Sequence, residues 1–246
     1  MELNSLRLDV ALVESKLADS RQIAKKLIEN SLVKVDGKIQ NKASFKVLNT
    51  SDIVVLDNDL TQYVSRGALK LEAALDCFQI DVSGFTAVDF GASTGGFTDL
   101  LLQRGAERVY AIENGVGQLH QKLRSDDRVI SLENTNARYL EKGFIPPSDI
   151  AVMDVSFISQ TKLYNSVLNL LKDGGYFVSL IKPQFEAGKS ALNKKGVVKD
   201  PTDIERAVNF VKQQAEISGF NLVGIVESPI LGGDGNKEFL AFFIKR

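Results

Sequence analysis

The 246-residue chain is expected to be an α/β protein, with a Rossmann-like, mostly parallel sheet preceded by a small α+β domain. Three observations carry this expectation. From residue 65 onward, apolar runs ending in a charge alternate with helix-periodic segments, as in a parallel sheet covered on both faces. A glycine-rich turn, Gly91 to Gly96, joins one such run to a helical pattern. Before residue 60 the pattern differs: two short helices, then alternating strands around Asp36-Gly37.

Bulk properties narrow the function. The formal net charge is −1, so a nucleic-acid surface must be a local patch. Cys77 is the only cysteine, which excludes an internal disulfide and points to the cytoplasm. His120 is the only histidine, so a Cys/His zinc site is excluded by count and no metal is expected. Met1 to Asn4 begins no signal peptide. The longest clean apolar run, Phe239 to Ile244, is far short of the ~20 residues of a membrane helix, so no membrane partner is expected.

In chain order, Leu6 to Val13 reads as a short amphipathic helix. A second helix follows, N-capped by Asp19 or Ser20, with Ile23, Ala24, Leu27 and Ile28 at helical spacing. Leu32 to Val35 alternates, Asp36-Gly37 turns the chain, Lys38-Ile39 returns, and Asp52 to Leu56 is a further strand. Between Arg21 and Lys46 stand seven basic and two acidic residues, a local +5 that could hold phosphates. Asp57 to Tyr63 is polar and reads as a linker. Ser65 to Leu75 is helical, with Leu71, Ala74, Leu75 and Phe78 as its buried face and Lys70 beside that face.

The large sheet begins with the strand ending Val88-Asp89-Phe90. Arg108 to Ile112 is the second strand, ending at Glu113; a helix through Leu119 and Leu123 should follow. Val129 to Leu132 is the third, followed by Asn134-Thr135-Asn136. Ile150 to Met153 is the fourth, ending at Asp154. Ser159 is expected to cap a helix carrying Leu163, Val167, Leu168 and Leu171, closed by Gly174-Gly175. Tyr176 to Ile181 is the fifth strand, ending at Lys182. Asp200-Pro201 opens the last helix. Asn221 to Val226 and Phe239 to Ile244 form a closing antiparallel pair, with Glu238 opening the final strand.

Ligands of open α/β sheets sit beyond the strand carboxyl ends. Asp89, Glu113, Asp154 and Lys182 belong to that edge, and Glu238 reaches it from the antiparallel strand. The glycines at 91, 95 and 96 do not follow the dinucleotide spacing, which favours S-adenosylmethionine over NAD. Cofactor contacts are expected from Asp89, Gly91, Ser93, Gly95, Glu113 and Asn136, with Asp154 a candidate shared contact.

Residues 7 to 47 resemble the S-four-type RNA-binding domain, through Arg7-Leu8-Asp9, Ser20-Arg21 and the Val33 to Lys38 hairpin. The resemblance implies binding to structured RNA by shape and backbone contacts. Arg7, Arg21, Lys25, Lys26, Lys34, Lys38 and, beyond the linker, Arg66 are the candidate RNA contacts. The division expected is 1–59 for this domain, 60–64 for the linker and 65–246 for the larger domain.

The larger domain resembles the FtsJ-type RNA 2′-O-methyltransferases and their Lys-Asp-Lys-Glu tetrad. Its counterparts are Lys70 in Ser-Arg-x-x-x-Lys-Leu, Asp154 in Met-Asp-Val-Ser, Lys182 in Leu-Ile-Lys-Pro and Glu238 in Asn-Lys-Glu-Phe. Almost end to end, the chain is similar to the TlyA family, in its shorter type. That resemblance implies 2′-O-methylation of a cytidine in ribosomal RNA, most of all of the large subunit. It further implies ribosomal RNA or a ribosomal subunit as partner, a link to antibiotic susceptibility, and an older haemolysin label. It makes Lys182 the base, with Lys70 loosening its proton by like-charge repulsion. The rival classes are a non-catalytic RNA-binding or ribosome-assembly factor, an NAD-dependent oxidoreductase and a haemolysin.

Overall fold

The computed structural model describes residues 5–18, 20–48, 50–56 and 62–246. Asp19, and the part of the linker at residues 57–61, lie outside the described residues. The chain divides into two compact units, Met1–Tyr63 and Val64–Arg246.

In the first unit, strand β1 (Ser5–Arg7) runs directly into helix α1 (Leu8–Glu14), and α2 (Arg21–Glu29) follows. The expected helix from Leu6 therefore starts two residues later. Leu6 and Arg7 pair instead with Val47 and Lys46 of β4 (Lys46–Leu48), a strand too short to read from alternation. Ser20 caps α2, its hydroxyl accepting from the Ile23 amide. Strand β2 (Val33–Val35) lies between β3 (Lys38–Ile39) and β5 (Ile53–Val55). Asp36 and Gly37 both have positive φ, +51° and +77°, as a type I′ hairpin turn requires. Leu8, Leu12, Leu27, Ile28, Val33 and Val35 form the core between the helices and the sheet.

The second unit opens with α3 (Ala68–Cys77) and is built on one seven-stranded sheet. Its strands are β6 (Thr86–Phe90), β7 (Arg108–Ile112), β8 (Val129–Leu132), β9 (Ser148–Met153), β10 (Leu171–Ile181), β11 (Phe220–Glu227) and β12 (Phe239–Lys245). The spatial order is β11-β12-β10-β9-β6-β7-β8. Strands β6 to β10 are parallel to their neighbours among themselves, and β12 is antiparallel to both β10 and β11. The chain leaves β6 toward β8 and returns to its other side at β9, so the switch point lies between β6 and β9, where a ligand crevice opens.

The helices are α4 (Gly96–Gln103), α5 (Gln121–Arg124), α6 (Tyr164–Leu170), α7 (Pro183–Glu186) and α8 (Pro201–Ser218). Asp200 caps α8 by accepting from the Thr202 amide at 2.8 Å. Two helix expectations need correction. The helix after Glu113 shrinks to α5, because Gly117 takes φ +75° and interrupts the turn. Ser159 does stand at the N-cap position of a 3-10 turn, Gln160–Leu163, that leads into α6, but its hydroxyl makes no cap bond; it donates to Glu186 at 2.6 Å, and Glu186 accepts the Gln160 amide at 2.9 Å. Helix α6 ends before Gly174-Gly175, which fall in an irregular start of β10. Tyr164, Phe177, Phe220 and Phe243 form a fully buried aromatic cluster under the sheet, packing worth more than its area alone.

Candidate active site

The site is built at the carboxyl edge of the sheet, around the turn that leaves β6. Gly91 takes φ +81°, and a Cβ there would stand 2.7 Å from the Asp154 carbonyl oxygen. Gly95 takes φ +100°, and a Cβ there would run into Leu119 and Leu123. Only glycine allows both the turn and the approach. Ser93, between them, is left-handed at φ +49° and is held there by Glu113. Glu113 accepts the Ser93 amide at 3.0 Å and the Gly115 amide at 2.8 Å. The Ser93 hydroxyl donates to Gln118 at 3.3 Å.

Above this turn lies a cavity of about 520 Å³, lined by Gly91, Ser93, Glu113, Asn136 and Asp154 among others. A second cavity of about 240 Å³ adjoins it, sharing Gly91, Ser93, Asp154 and Ser156 and adding Ser65 and Lys182. Asn136 caps the turn at 137–139, accepting the Arg138 amide at 3.0 Å. Two expected cofactor contacts, Gly95 and Asp89, line neither cavity: Gly95 supports the loop from behind, and Asp89 is fully buried beneath it.

Asp89 is fully buried and accepts the Thr98 hydroxyl at 2.7 Å. Burial, reinforced by the Asp154 and Glu113 charges, lifts its carboxyl to about 7 against the pull of Thr98. A carboxylate raised in the folded state removes stability as pH climbs from its unfolded value to its folded one. Asp89→Asn is therefore expected to melt above the wild type at pH 8, by about 2–4 °C, with the gain shrinking below pH 7 and absent near pH 4. Thermal denaturation across that range checks it; an equal or lower melting temperature at pH 8 contradicts it.

The four tetrad positions fall into two ion pairs. Lys182 Nζ lies 2.6 Å from Asp154 Oδ1 and donates to Ser156 Oγ at 2.8 Å, at the wall of the smaller cavity. Lys70 Nζ lies 2.6 Å from Glu238 Oε2, and both residues are buried. Read alone, Lys70 is a surface lysine; the fold puts it under the edge, against a residue 168 positions away. The expected lysine–lysine repulsion meets a Lys70 charge already offset by Glu238.

Sequence reasoning missed Ser156, Gln118 and Phe157. Phe157 is 92% exposed at φ +65° on the rim of the larger cavity. Its ring packs 5.4 Å from that of Phe185, and Lys182 Nζ lies 6.0 Å from the Phe185 ring. An apolar residue three positions after a strand-end acid reads as core, and nothing in the pattern signals the backbone twist that turns it outward.

The candidate RNA contacts divide. Arg7 and Arg21 both hold the buried Asp9, at 2.9 and 2.8 Å, while their side chains stay 41% and 57% exposed. The Arg7 hydrogen bond chiefly holds the Asp9 carboxyl down at about 2, with Arg21 adding to it against the effect of burial. These two arginines therefore brace the first unit. Lys25, Lys26, Lys38 and Arg66 are exposed and Lys34 is half-buried. Lys34 pairs with Ile39 and Val54, whereas Lys38 stands opposite Val35, so the two lysines do not share one face of the hairpin.

A seven-stranded sheet of this order, with its last strand reversed and an acidic cavity above a glycine turn, defines a methyltransferase-type α/β domain. Residues 63–245 match the FtsJ-like methyltransferase family, and residues 6–54 match the S4 domain. The 16S/23S rRNA (cytidine-2′-O)-methyltransferase TlyA of Mycobacterium tuberculosis H37Rv is 42% identical over 234 residues, covering 95% of this chain and 87% of that protein. The 23S rRNA (cytidine-2′-O)-methyltransferase TlyA of Campylobacter jejuni is 38% identical over 255 residues, covering 95% and 97%. A solved structure from Streptococcus thermophilus, carrying a haemolysin label, has a TM-score of 0.76 at 40% identity, covering 99% of this chain and 89% of that one. The chain belongs to the FtsJ-like methyltransferases and, among them, to the TlyA family.

S-adenosylmethionine is the cofactor that the family and fold indicate. The residues present fit it: the cavity is of small-molecule size, and Glu113 and Asp154 place carboxylates in its lining, suited to a cationic, hydroxyl-bearing ligand. Ile112, Ala137, Ile158 and Leu163 supply apolar lining for a base. Among the described residues no side-chain cluster could hold a metal ion, and no helix is long and apolar enough to cross a membrane.

Proposed function

We propose that this protein transfers a methyl group to the 2′-oxygen of a cytidine in ribosomal RNA, most of all in the large subunit. The observation that carries the reading is the Asp154–Lys182 pair standing where the two cavities meet. Bound S-adenosylmethionine supplies an electrophilic methyl group on a good leaving group. The protein must position a hydroxyl and take its proton.

In this reading Lys182, as the neutral amine, accepts the ribose proton. Asp154 and Ser156 are placed to hold the ammonium that results. Lys70 and Glu238 brace the same edge from below. Gly91, Ser93, Glu113 and Asn136 hold the cofactor, with Gly95 and Asp89 acting through the loop and strand that they support. Phe157 offers an exposed ring on which a splayed-out base could stack.

Residues 1–59 bind RNA through Lys25, Lys26, Lys34 and Lys38, with Arg7 and Arg21 contributing their exposed sides. Residues 60–64 link them to the catalytic domain of residues 65–246, where Arg66 adds a contact. The large-subunit assignment is supported by the match over 97% of the relative named for 23S rRNA. The protein works in the cytoplasm, where ribosomes are. The test is transfer of labelled methyl from S-adenosylmethionine to separated ribosomal subunits. Label on the large subunit is expected; cofactor binding without label on either subunit would overturn the ribosomal reading. Absence of cofactor binding would favour the non-catalytic RNA-binding factor.

A further inference from the structure

The stretch that follows Lys182 and α7 carries four lysines, Lys189, Lys194, Lys195 and Lys199, and no acid between Gly188 and Lys199. All four are exposed. Among the described residues, the lysines in ion pairs are others. Four exposed lysines outside those ion pairs, in a chain whose total is −1, make a local patch of positive potential that attracts anions.

These lysines are not on a slack loop. Leu192 and Val198 bridge antiparallel, and the Asn193 amide donates to the Val197 carbonyl at 3.0 Å. The Asn193 side chain accepts the Lys195 and Val197 amides at 2.8 and 3.0 Å. Lys194 and Lys195 thus stand at the tip of a braced hairpin.

The hairpin is fastened to the active-site edge by one buried side chain. Asn236 Oδ1 accepts the Val198 amide at 3.0 Å, and its Nδ2 donates to the Gly196 carbonyl at 3.1 Å. The Asn236 carbonyl accepts the Gly232 amide at 2.9 Å, and Gly232 packs against the Glu238 carboxylate. Asn236 stands two residues before Glu238. The backbone that carries Lys194 and Lys195 is thereby fixed to the segment that carries Glu238.

We propose that the 192–198 hairpin is a phosphate-binding arm. Lys194 and Lys195 grip the RNA backbone beside the target ribose, and Asn236 is the positioning residue that fixes the arm to the catalytic edge. This deepens the reading above and rests on RNA being the substrate.

The experiment is steady-state methyl transfer to ribosomal RNA at several salt concentrations, with wild type, Lys194→Gln/Lys195→Gln and Asn236→Ala. Losing two phosphate contacts should raise the KM for RNA about 10-fold and lower the slope of log KM against log salt by about 1.4–1.8. The lysine variant should keep its S-adenosylmethionine affinity, and its kcat at saturating RNA should stay within about 2-fold. Asn236→Ala should show the same rise in KM and loss of slope, with cofactor affinity unchanged. A lysine variant with wild-type KM and slope overturns the arm. An Asn236→Ala protein with wild-type KM and slope overturns the coupling. If the wild type itself transfers nothing to RNA, the proposed function fails, and the arm falls with it.

Discussion

Lys182→Ala should lower methyl transfer to RNA by about 10²–10⁴-fold, the range that a positioned proton acceptor contributes. Binding of S-adenosylmethionine should change by less than about 3-fold. The asymmetry follows from placement. Lys182 lines the smaller cavity and not the larger one that Glu113 and Asn136 line, and its bonds go to Asp154 and Ser156. Removing its amine takes away the proposed proton acceptor and leaves the glycine turn and its Glu113 clamp untouched. Calorimetric titration of the cofactor beside a transfer assay reads the two effects separately. A Lys182→Ala protein with normal transfer would remove the lysine from the chemistry. A protein with no cofactor binding would place it in the cofactor site instead.

The second large effect is on stability. Lys70 and Glu238 form an ion pair at 2.6 Å with both side chains nearly out of solvent. Removing one partner of such a pair leaves a buried charge uncompensated and costs about 3–5 kcal/mol, whereas replacing both by apolar residues of similar volume is often neutral. Lys70→Met is therefore expected to lower the melting temperature by roughly 6–20 °C. Lys70→Met/Glu238→Met should recover most of that loss while transfer remains impaired. Thermal denaturation and the transfer assay on both proteins check this. Equal melting of the single variant and wild type would mean that water reaches Glu238 once the lysine is gone.

The parts legible in the sequence are those where local chemistry and global position coincide. An apolar run closed by a charge marks the carboxyl end of a buried strand, which is why the sequence alone puts Glu113, Asp154 and Lys182 on one edge. Asp200-Pro201 marks a helix start because the cap and the proline act within one turn. What stayed illegible depends on contacts across long separations. The burial of Lys70 is decided by Glu238, and the bracing role of Arg7 and Arg21 is decided by Asp9 lying on the inner side of α1. Ser159 has the right chemistry for a cap, but Glu186 takes its hydroxyl and the neighbouring amide as well. The outward turn of Phe157 needs a left-handed backbone that no residue type near it announces.

The chemical identity of the product tests the proposed reaction most directly. Large-subunit RNA, methylated by the purified protein, is digested to nucleosides and analysed by mass spectrometry. The expected product is 2′-O-methylcytidine, absent when Lys182→Ala replaces the wild type. A methyl group on a base, or on a ribose in RNA treated equally well by the Lys182→Ala protein, would contradict it.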